Sequence, residues 1–444
     1  MALLEERARD LDARGGENEA KVEQRTRARG LRWHYAWVVS GVTFLTLLVA
    51  AGVRTAPGVF IKPFEAEFGW SRGSISLAVS FSLLAYGLGG PLGGSLVDRF
   101  GPRRVMLLGL SLILLGLGPM LALTSLWQLY LLWGLITGLG TGAVSSVLGT
   151  SVADRWFLKH RGMVIGLFGA ASSTGQLIFL PSLIGVTSSS GWRGGITLIV
   201  VAIAAVMIPV ALLMRDQPED MHLQPVGAGE PDVVKAQAAE GPSVSLRGAT
   251  RTRDFWLLAG SFFICGYTSN GLVGTHLIPH ALEHGFTEAA AAAAVGLMGM
   301  MNIFGTLTSG WLTDRYDNRR LLAAYYGFRA LSLFWLPFVY DTGGLFLFAV
   351  LYGLDWIATV PPTANLTAQR FGRASYGRIF GWIYCAHMVG ASLAAFAGGF
   401  FHDLLGDYTL VFISAALLGF IAVALSMSVT RQHYVKKAQS PVYN

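Results

Sequence analysis

Gly94-Ser95-Leu96-Val97-Asp98-Arg99-Phe100-Gly101-Pro102-Arg103-Arg104 returns in the second half of the chain as Gly310-Trp311-Leu312-Thr313-Asp314-Arg315-Tyr316-Asp317-Asn318-Arg319-Arg320. Gly, Asp, Arg and the closing Arg pair recur at one constant offset, and each copy lies between two long apolar segments. A second pattern, Arg155-Trp156-Phe157 with Gly162 and Gly166, is echoed by Arg370-Phe371 with Gly377 and Gly381, at an offset of 215. Two patterns repeated at nearly one spacing imply a duplicated chain. Duplicated six-helix halves are an architecture of secondary transporters. The expected fold is therefore an all-α membrane protein with twelve transmembrane helices, in two six-helix halves related by a pseudo-two-fold axis.

Composition agrees. Hydrophobic residues make up 53% of the chain and charged residues 13%, where soluble domains carry about 25% charged residues. Apolar stretches near the roughly 20 residues that cross a bilayer occur at 35–61, 74–97, 105–122, 127–150, 162–186 and 191–215. Six more follow at 253–281, 288–312, 321–341, 344–368, 377–402 and 407–430. The chain thus divides into a tail (1–33), a first half (34–215), a linker (216–252) rich in Ala, Gly, Pro, Glu and Gln, a second half (253–430) and a tail (431–444).

The net charge of +7 does not point to nucleic acid, because the cations are sorted by side. Arg99, Arg103, Arg104, Arg155, Arg315, Arg319, Arg320 and Arg370 share one set of short loops, whereas the alternate loops mix Lys62, Arg72 and Arg193 with acids such as Glu283, Asp403 and Asp407. That asymmetry is the positive-inside bias, and it places both tails in the cytoplasm; the expected location is a bacterial inner membrane. Residues 1–33 lack an apolar core and do not read as a cleavable signal. The two cysteines, Cys265 and Cys385, fall inside spans and suggest neither a disulfide framework nor a metal cluster. No cofactor is implied, no span carries a nucleophile–base set, and the expected state is a monomer in lipid.

Each part of the repeated loop has a physical use at a cytoplasmic gate. Gly94 and Gly310 let a neighbouring helix pass closely. Asp98 and Asp314 place a carboxylate where a helix N-terminus donates hydrogen bonds. Arg99, Arg103, Arg104, Arg315, Arg319 and Arg320 suit carboxylate partners or lipid phosphates. The pattern resembles the signature loop of the major facilitator superfamily in both halves. In the second copy Asp317 replaces Gly101, so that loop is expected to turn differently.

A finer resemblance covers residues 35–220. Val59-Phe60-Ile61-Lys62, Phe64-Glu65 and Phe68-Gly69-Trp70-Ser71-Arg72 look like the first loop of monocarboxylate-transporter-like members. Gly134-Leu135-Ile136-Thr137-Gly138-Leu139-Gly140, Arg155-Trp156-Phe157, Gly191-Trp192-Arg193 and Pro218-Glu219-Asp220 are similar to that branch as well. The branch carries an Arg in its eighth span, four residues before the loop glycine; here Thr306 stands there, and Asn302 fills the earlier Asp or Asn position. Proton-driven drug exporters show a Gly-Pro pair in the fifth span, which Gly166 to Gly175 lacks.

Ionisable residues inside spans are functional candidates. Arg54 lies in the outer half of the first span, within one residue of a Lys that the resemblance implies, and suits capture of an anion; the bland alternative is an Arg snorkelling to headgroups. Arg329 and Asp355 fall at similar depth in the ninth and tenth spans and are expected to pair, as a static ion pair or as a proton-responsive switch. His387, with Tyr384 one turn before it, and Asn302 are expected to form a polar patch at the cavity, where a histidine suits proton coupling. His276, His280 and His284 share a helix face at the outer surface, and no metal site is assigned there. Met298, Met300 and Met301 read as gap-filling side chains rather than copper ligands. In Asp355-Trp356-Ile357-Ala358-Thr359-Val360-Pro361-Pro362-Thr363 the paired prolines predict a broken or kinked tenth span. The function these features imply is alternating-access transport of a small organic anion, a monocarboxylate, coupled to protons; the alternatives are proton-driven efflux of drugs or metabolites, or uptake of a vitamin or a metal such as copper.

Overall fold

The computed structural model describes residues 34–228, 244–372 and 375–431. The expected tail 1–33, nearly all of 431–444 and the middle of the linker lie outside the described residues, as do the surroundings of Gly94. Nine runs among the described residues are helical, long and apolar enough to cross a membrane. One of them, Arg161–Leu213, is 53 residues long and holds a non-helical Gly191 at φ 70° and ψ 175°, so it makes two passes. With Arg72–Phe100 and 253–283 the passes number twelve, in the order the repeats imply.

We label them α1 (Ala36–Phe68), α2 (Arg72–Phe100), α3 (Pro102–Met120), α4 (Leu126–Trp156), α5 (161–190), α6 (192–213), α7 (253–283), α8 (Glu288–Thr313), α9 (Asn318–Phe338), α10 (Thr342–Phe371), α11 (Tyr376–Leu405) and α12 (Thr409–Ser428). Within a bilayer helices gain no hydrophobic driving force from each other, so they associate through close backbone contact at small residues. The duplication is visible in those contacts. A Cβ on Gly175 of α5 would stand 2.2 Å from the Leu48 carbonyl oxygen of α1, and one on Gly390 of α11 would stand 2.0 Å from the Phe263 carbonyl oxygen of α7. Gly390 and Phe263 are related to Gly175 and Leu48 by the same offset as the Arg155 and Arg370 patterns. A like approach presses Gly89 of α2 on Gly142 of α4, and Gly305 of α8 on Leu354 of α10.

The halves are pressed together toward one end. Opposite the repeated loops, a Cβ on Gly73 or Gly399 would strike the partner half, 2.8 Å from Asp403 Oδ2 and 2.7 Å from the Arg72 carbonyl oxygen. Toward the loops, a Cβ on Gly162, Gly166, Gly377 or Gly381 would meet nothing within 4 Å. The halves are in direct contact at the far end, and these four glycines of the loop end make no such contact.

The two loops cap their following helices differently. Gly101 sits at φ 81°, and a Cβ there would lie 2.3 Å from Oδ1 of Asp216, a carboxylate arriving from beyond α6. That oxygen accepts the Arg103 backbone N–H at 2.8 Å, at the start of α3. In the second loop Asp317 is its own cap, accepting from the Arg319 N–H at 3.0 Å. The side-chain bond from Arg319 also holds the Asp317 carboxyl below the usual carboxylate range. The replaced glycine is thus a change in where the capping carboxylate comes from. The linker is also partly ordered: the Val226 carbonyl receives the backbone N–H groups of Leu158 and Lys159, and Leu246–Thr250 is a short helix.

The equivalent contacts carry a prediction. Gly175→Val and Gly390→Val should each destabilise the bundle by roughly 1–3 kcal/mol through overpacking, read as a lower melting temperature in detergent. Gly118→Val, where a Cβ meets nothing within 4 Å, should melt like the parent.

Candidate functional site

Between the halves lies a cavity of about 260 Å³, lined from α1, α2, α4 and α5 on one side and α7, α8, α10 and α11 on the other. Local irregularities aim polar groups into it. Helix α1 breaks at Ala56, ahead of Pro57, and Arg54 precedes that break. Helix α7 widens into a π-helical turn over Tyr267–Val273, which carries Ser269 and Asn270 to the cavity wall. Such π segments cluster at functional sites.

A chain of contacts crosses the cavity. The Arg54 guanidinium carbon stands 5.1 Å from the centroid of the Tyr86 ring. Tyr86 and Tyr384 bring their hydroxyls within 3.4 Å across the halves. Tyr384 stacks on His387 with centroids 5.5 Å apart and planes at 14°. His387 Nδ1 lies 3.1 Å from the Phe262 carbonyl, which only accepts, so Nδ1 carries the hydrogen. Nε2 then accepts from Asn270 Nδ2 at 3.4 Å. Among the described residues no carboxylate pairs with Arg54, whose guanidinium faces the Tyr86 ring. The structure thus brings Arg54, Tyr384 and His387 together.

Asn302 does not join them. It is fully buried, donates to Ser173 Oγ at 3.0 Å and accepts the Ile357 backbone N–H at 3.1 Å. Its amide is taken by the break in α10, where helical hydrogen bonding lapses between Asp355 and Val360. Arg329 serves the same break. Its Nε donates to Asp355 Oδ2 at 2.6 Å, and its Nη2 donates to the carbonyls of Asp355 at 2.7 Å and Trp356 at 3.0 Å. Nη1 reaches Cys265 Sγ at 3.1 Å. Ser309 Oγ takes the Ala358 carbonyl. The paired prolines do break α10, but protein donors occupy the freed carbonyls of Asp355, Trp356 and Ala358, as buried backbone in a bilayer requires.

The other candidates disperse. Met298 is buried beside the cavity while Met300 is 41% exposed, so the methionines do not converge. His276 engages Tyr408 and the Ala395 carbonyl, and His284 engages the carbonyls of His280 and Pro337. At the loop end Asp98 lies 3.6 Å from Arg155 within its own half, and Arg103 donates to the Ala211 carbonyl. Arg319 pairs with Asp317, while Arg99, Arg104, Asp314, Arg315 and Arg320 are exposed. Gly310 has open space on its Cβ side.

One cluster has no counterpart in the sequence reading. Arg72, 3% exposed, grips Glu65 through two bonds of 2.6 and 2.7 Å, and crosses to Glu283 at 2.6 Å and to the Tyr408 hydroxyl at 2.9 Å. Lys62 and His402 also meet Glu283. Asp403 caps α2 by accepting the N–H groups of Arg72 and Gly73. These bonds join the halves at the far end. The signal was charge at paired span ends, which reads equally as interfacial anchoring.

A family model described as Major Facilitator Superfamily matches residues 43–386. The chain belongs to that superfamily. Monocarboxylate transporter 13 of Rattus norvegicus is 26% identical over 405 residues, covering 90% of each chain. The oxalate:formate antiporter of Oxalobacter formigenes is 24% identical over 413 residues, covering 92% of this chain and 94% of its own. The solved structure of a D-xylose-proton symporter superposes with a TM-score of 0.70 at 16% identity, over 90% of this chain and 98% of that one, which supports the twelve-helix fold. The superfamily and these relatives are transporters, not enzymes, and this major facilitator chain resembles the monocarboxylate-transporter-like members.

Removing one partner of a buried ion pair costs about 3–5 kcal/mol, so Arg329→Met should sharply lower the melting temperature and yield of folded protein. The double variant Arg329→Met/Asp355→Leu separates two roles. An ion pair alone predicts recovery; capping of the Asp355 and Trp356 carbonyls predicts that the double variant melts as low as the single one.

Proposed function

We propose that the protein is an alternating-access carrier of a small organic anion, a monocarboxylate, taken up together with protons. The observation that carries this reading is Arg54. A permanent cation facing a cavity between two halves, with no carboxylate partner among the described residues, is costly to keep desolvated. A carboxylate entering the cavity supplies the missing countercharge. The printed names of the relatives, monocarboxylate transporter and oxalate:formate antiporter, agree with an anionic substrate.

The basic loops make the loop end cytoplasmic, with both termini on that side of a bacterial inner membrane, and the protein works as a monomer. In that orientation the structure is the inward-open state, held by the Arg72–Glu65–Glu283 cluster at the outer end. His387, stacked on Tyr384 and lining the cavity, is the group that links proton binding to the anion, since a protonated imidazole adds a second cation to the site.

Purified protein in liposomes should accumulate a labelled monocarboxylate when the outside is acidified. Arg54→Gln should raise KM at least about tenfold, from loss of a charged hydrogen bond, while Arg54→Lys retains more activity. His387→Ala should flatten the pH dependence of uptake. Transport driven by a cationic dye gradient, or of Cu²⁺, with carboxylates ignored, would overturn the anion reading.

A further inference from the structure

We infer that the cavity selects a monocarboxylate with a flat aromatic body, over both small aliphatic acids and dicarboxylates; this rests on the organic-anion reading above. The first observation is charge count. Among the described residues lining the cavity, Arg54 is the single permanent cation. The repeat does not duplicate it: the equivalent position in the second half is Ser269, which also lines the cavity. Arg329 is not at the wall, and its donors are spent on Asp355, Trp356 and Cys265. His387 has both nitrogens engaged, with Phe262 and Asn270. One carboxylate is matched. While His387 is neutral, as its bonds to Phe262 and Asn270 have it, a second would be buried without a partner, which is strongly unfavourable.

The second observation is size and surface. A cavity of about 150 Å³ lined by apolar side chains holds benzene. The roughly 260 Å³ here has room for a ring with a short acidic arm, and an acid of two or three carbons would leave more of the apolar wall uncovered. Those walls carry Trp133, Trp356, Leu180 and Met298 beside the Tyr86 and Tyr384 rings. Aromatic faces in such a pocket favour offset or edge contacts with a further ring.

The third observation is a difference between the halves. Tyr384 and His387 project from α11, while the equivalent positions of the first half, on α5, are Gly169 and Ser172. All four line the cavity. A Cβ on Gly169 would meet nothing within 4 Å. One wall therefore presents a stacked Tyr–His face, and its pseudo-symmetric counterpart carries only Gly169 and Ser172, with space beside the glycine. That space is where the ring sits.

Three acids with one 2-oxo head separate these terms: pyruvate, phenylpyruvate and 2-oxoglutarate. Their binding to the purified full chain is measured by titration calorimetry. Phenylpyruvate should bind at least tenfold more tightly than pyruvate, and 2-oxoglutarate more weakly than either. Arg54→Gln should weaken phenylpyruvate at least tenfold, which excludes nonspecific binding of the ring. Gly169→Leu, which fills the space, should cut the phenylpyruvate-to-pyruvate preference at least fivefold. Equal affinity for pyruvate and phenylpyruvate, tightest binding of 2-oxoglutarate, or a preference unmoved by Gly169→Leu overturns this inference and leaves the organic-anion reading standing. Binding of none of the three overturns both.

Discussion

No water reaches backbone inside a bilayer, so a helix broken there must find donors and acceptors within the protein. The break in α10 sets that demand, and much of the second half is arranged around it. Arg329 from α9 caps two of its carbonyls, Ser309 from α8 caps a third, and Asn302 from α8 accepts its freed N–H. Cys265 and Thr268 from α7 close the guanidinium's far side. Three helices are thereby tied to the defect in a fourth. The consequence for function is a contrast between two arginines. Arg329 is completely buried and satisfied by the protein; Arg54 is buried only in part and faces a cavity with aromatic neighbours. On the proposed reading, the charge already satisfied holds structure and the one facing the cavity takes its counterion from the substrate.

The far end shows how binding energy can be turned into movement. Arg72, Glu65 and Glu283 join first and second halves through charged bonds that the described residues of the loop end do not match in this state. A ligand shifts an equilibrium only by its differential affinity for the two states. In the proposed cycle an anion bridging Arg54 and Tyr86 of the first half and Tyr384 of the second would have that property, because its contacts span both halves.

The twelve passes, the duplication and the broken tenth span were all legible in the sequence, because bilayer thickness and helix-breaking prolines act locally. Arg54, Tyr384 and His387 were legible as polar residues amid apolar runs. Depth alone misplaced Asn302: it lies near the level of His387 but turns toward α10, and rotation about a helix axis is not readable from hydropathy when a helix is apolar on most sides. Tyr86 and Asn270 were not legible, because a tyrosine or an amide inside a span is an ordinary packing residue until a cavity opens beside it. The Arg72–Glu283 link escaped because its partners are 211 residues apart and only the apposition of the halves brings them together. The Gly101 and Asp317 positions were recognised as different, but their common role emerged only with Asp216 in place.

In the proposed cycle the two halves rock about an anion held at Arg54. Pulsed electron resonance distances test it most directly, with spin labels at Ser95 and Gly377 on the loop end and at Ala66 and Leu404 on the far end. Saturating carboxylate should shorten the loop-end distance and lengthen the far-end distance in the parent, and do neither in Arg54→Gln. Distances that stay fixed, or that change with the same sign at both ends, would contradict it.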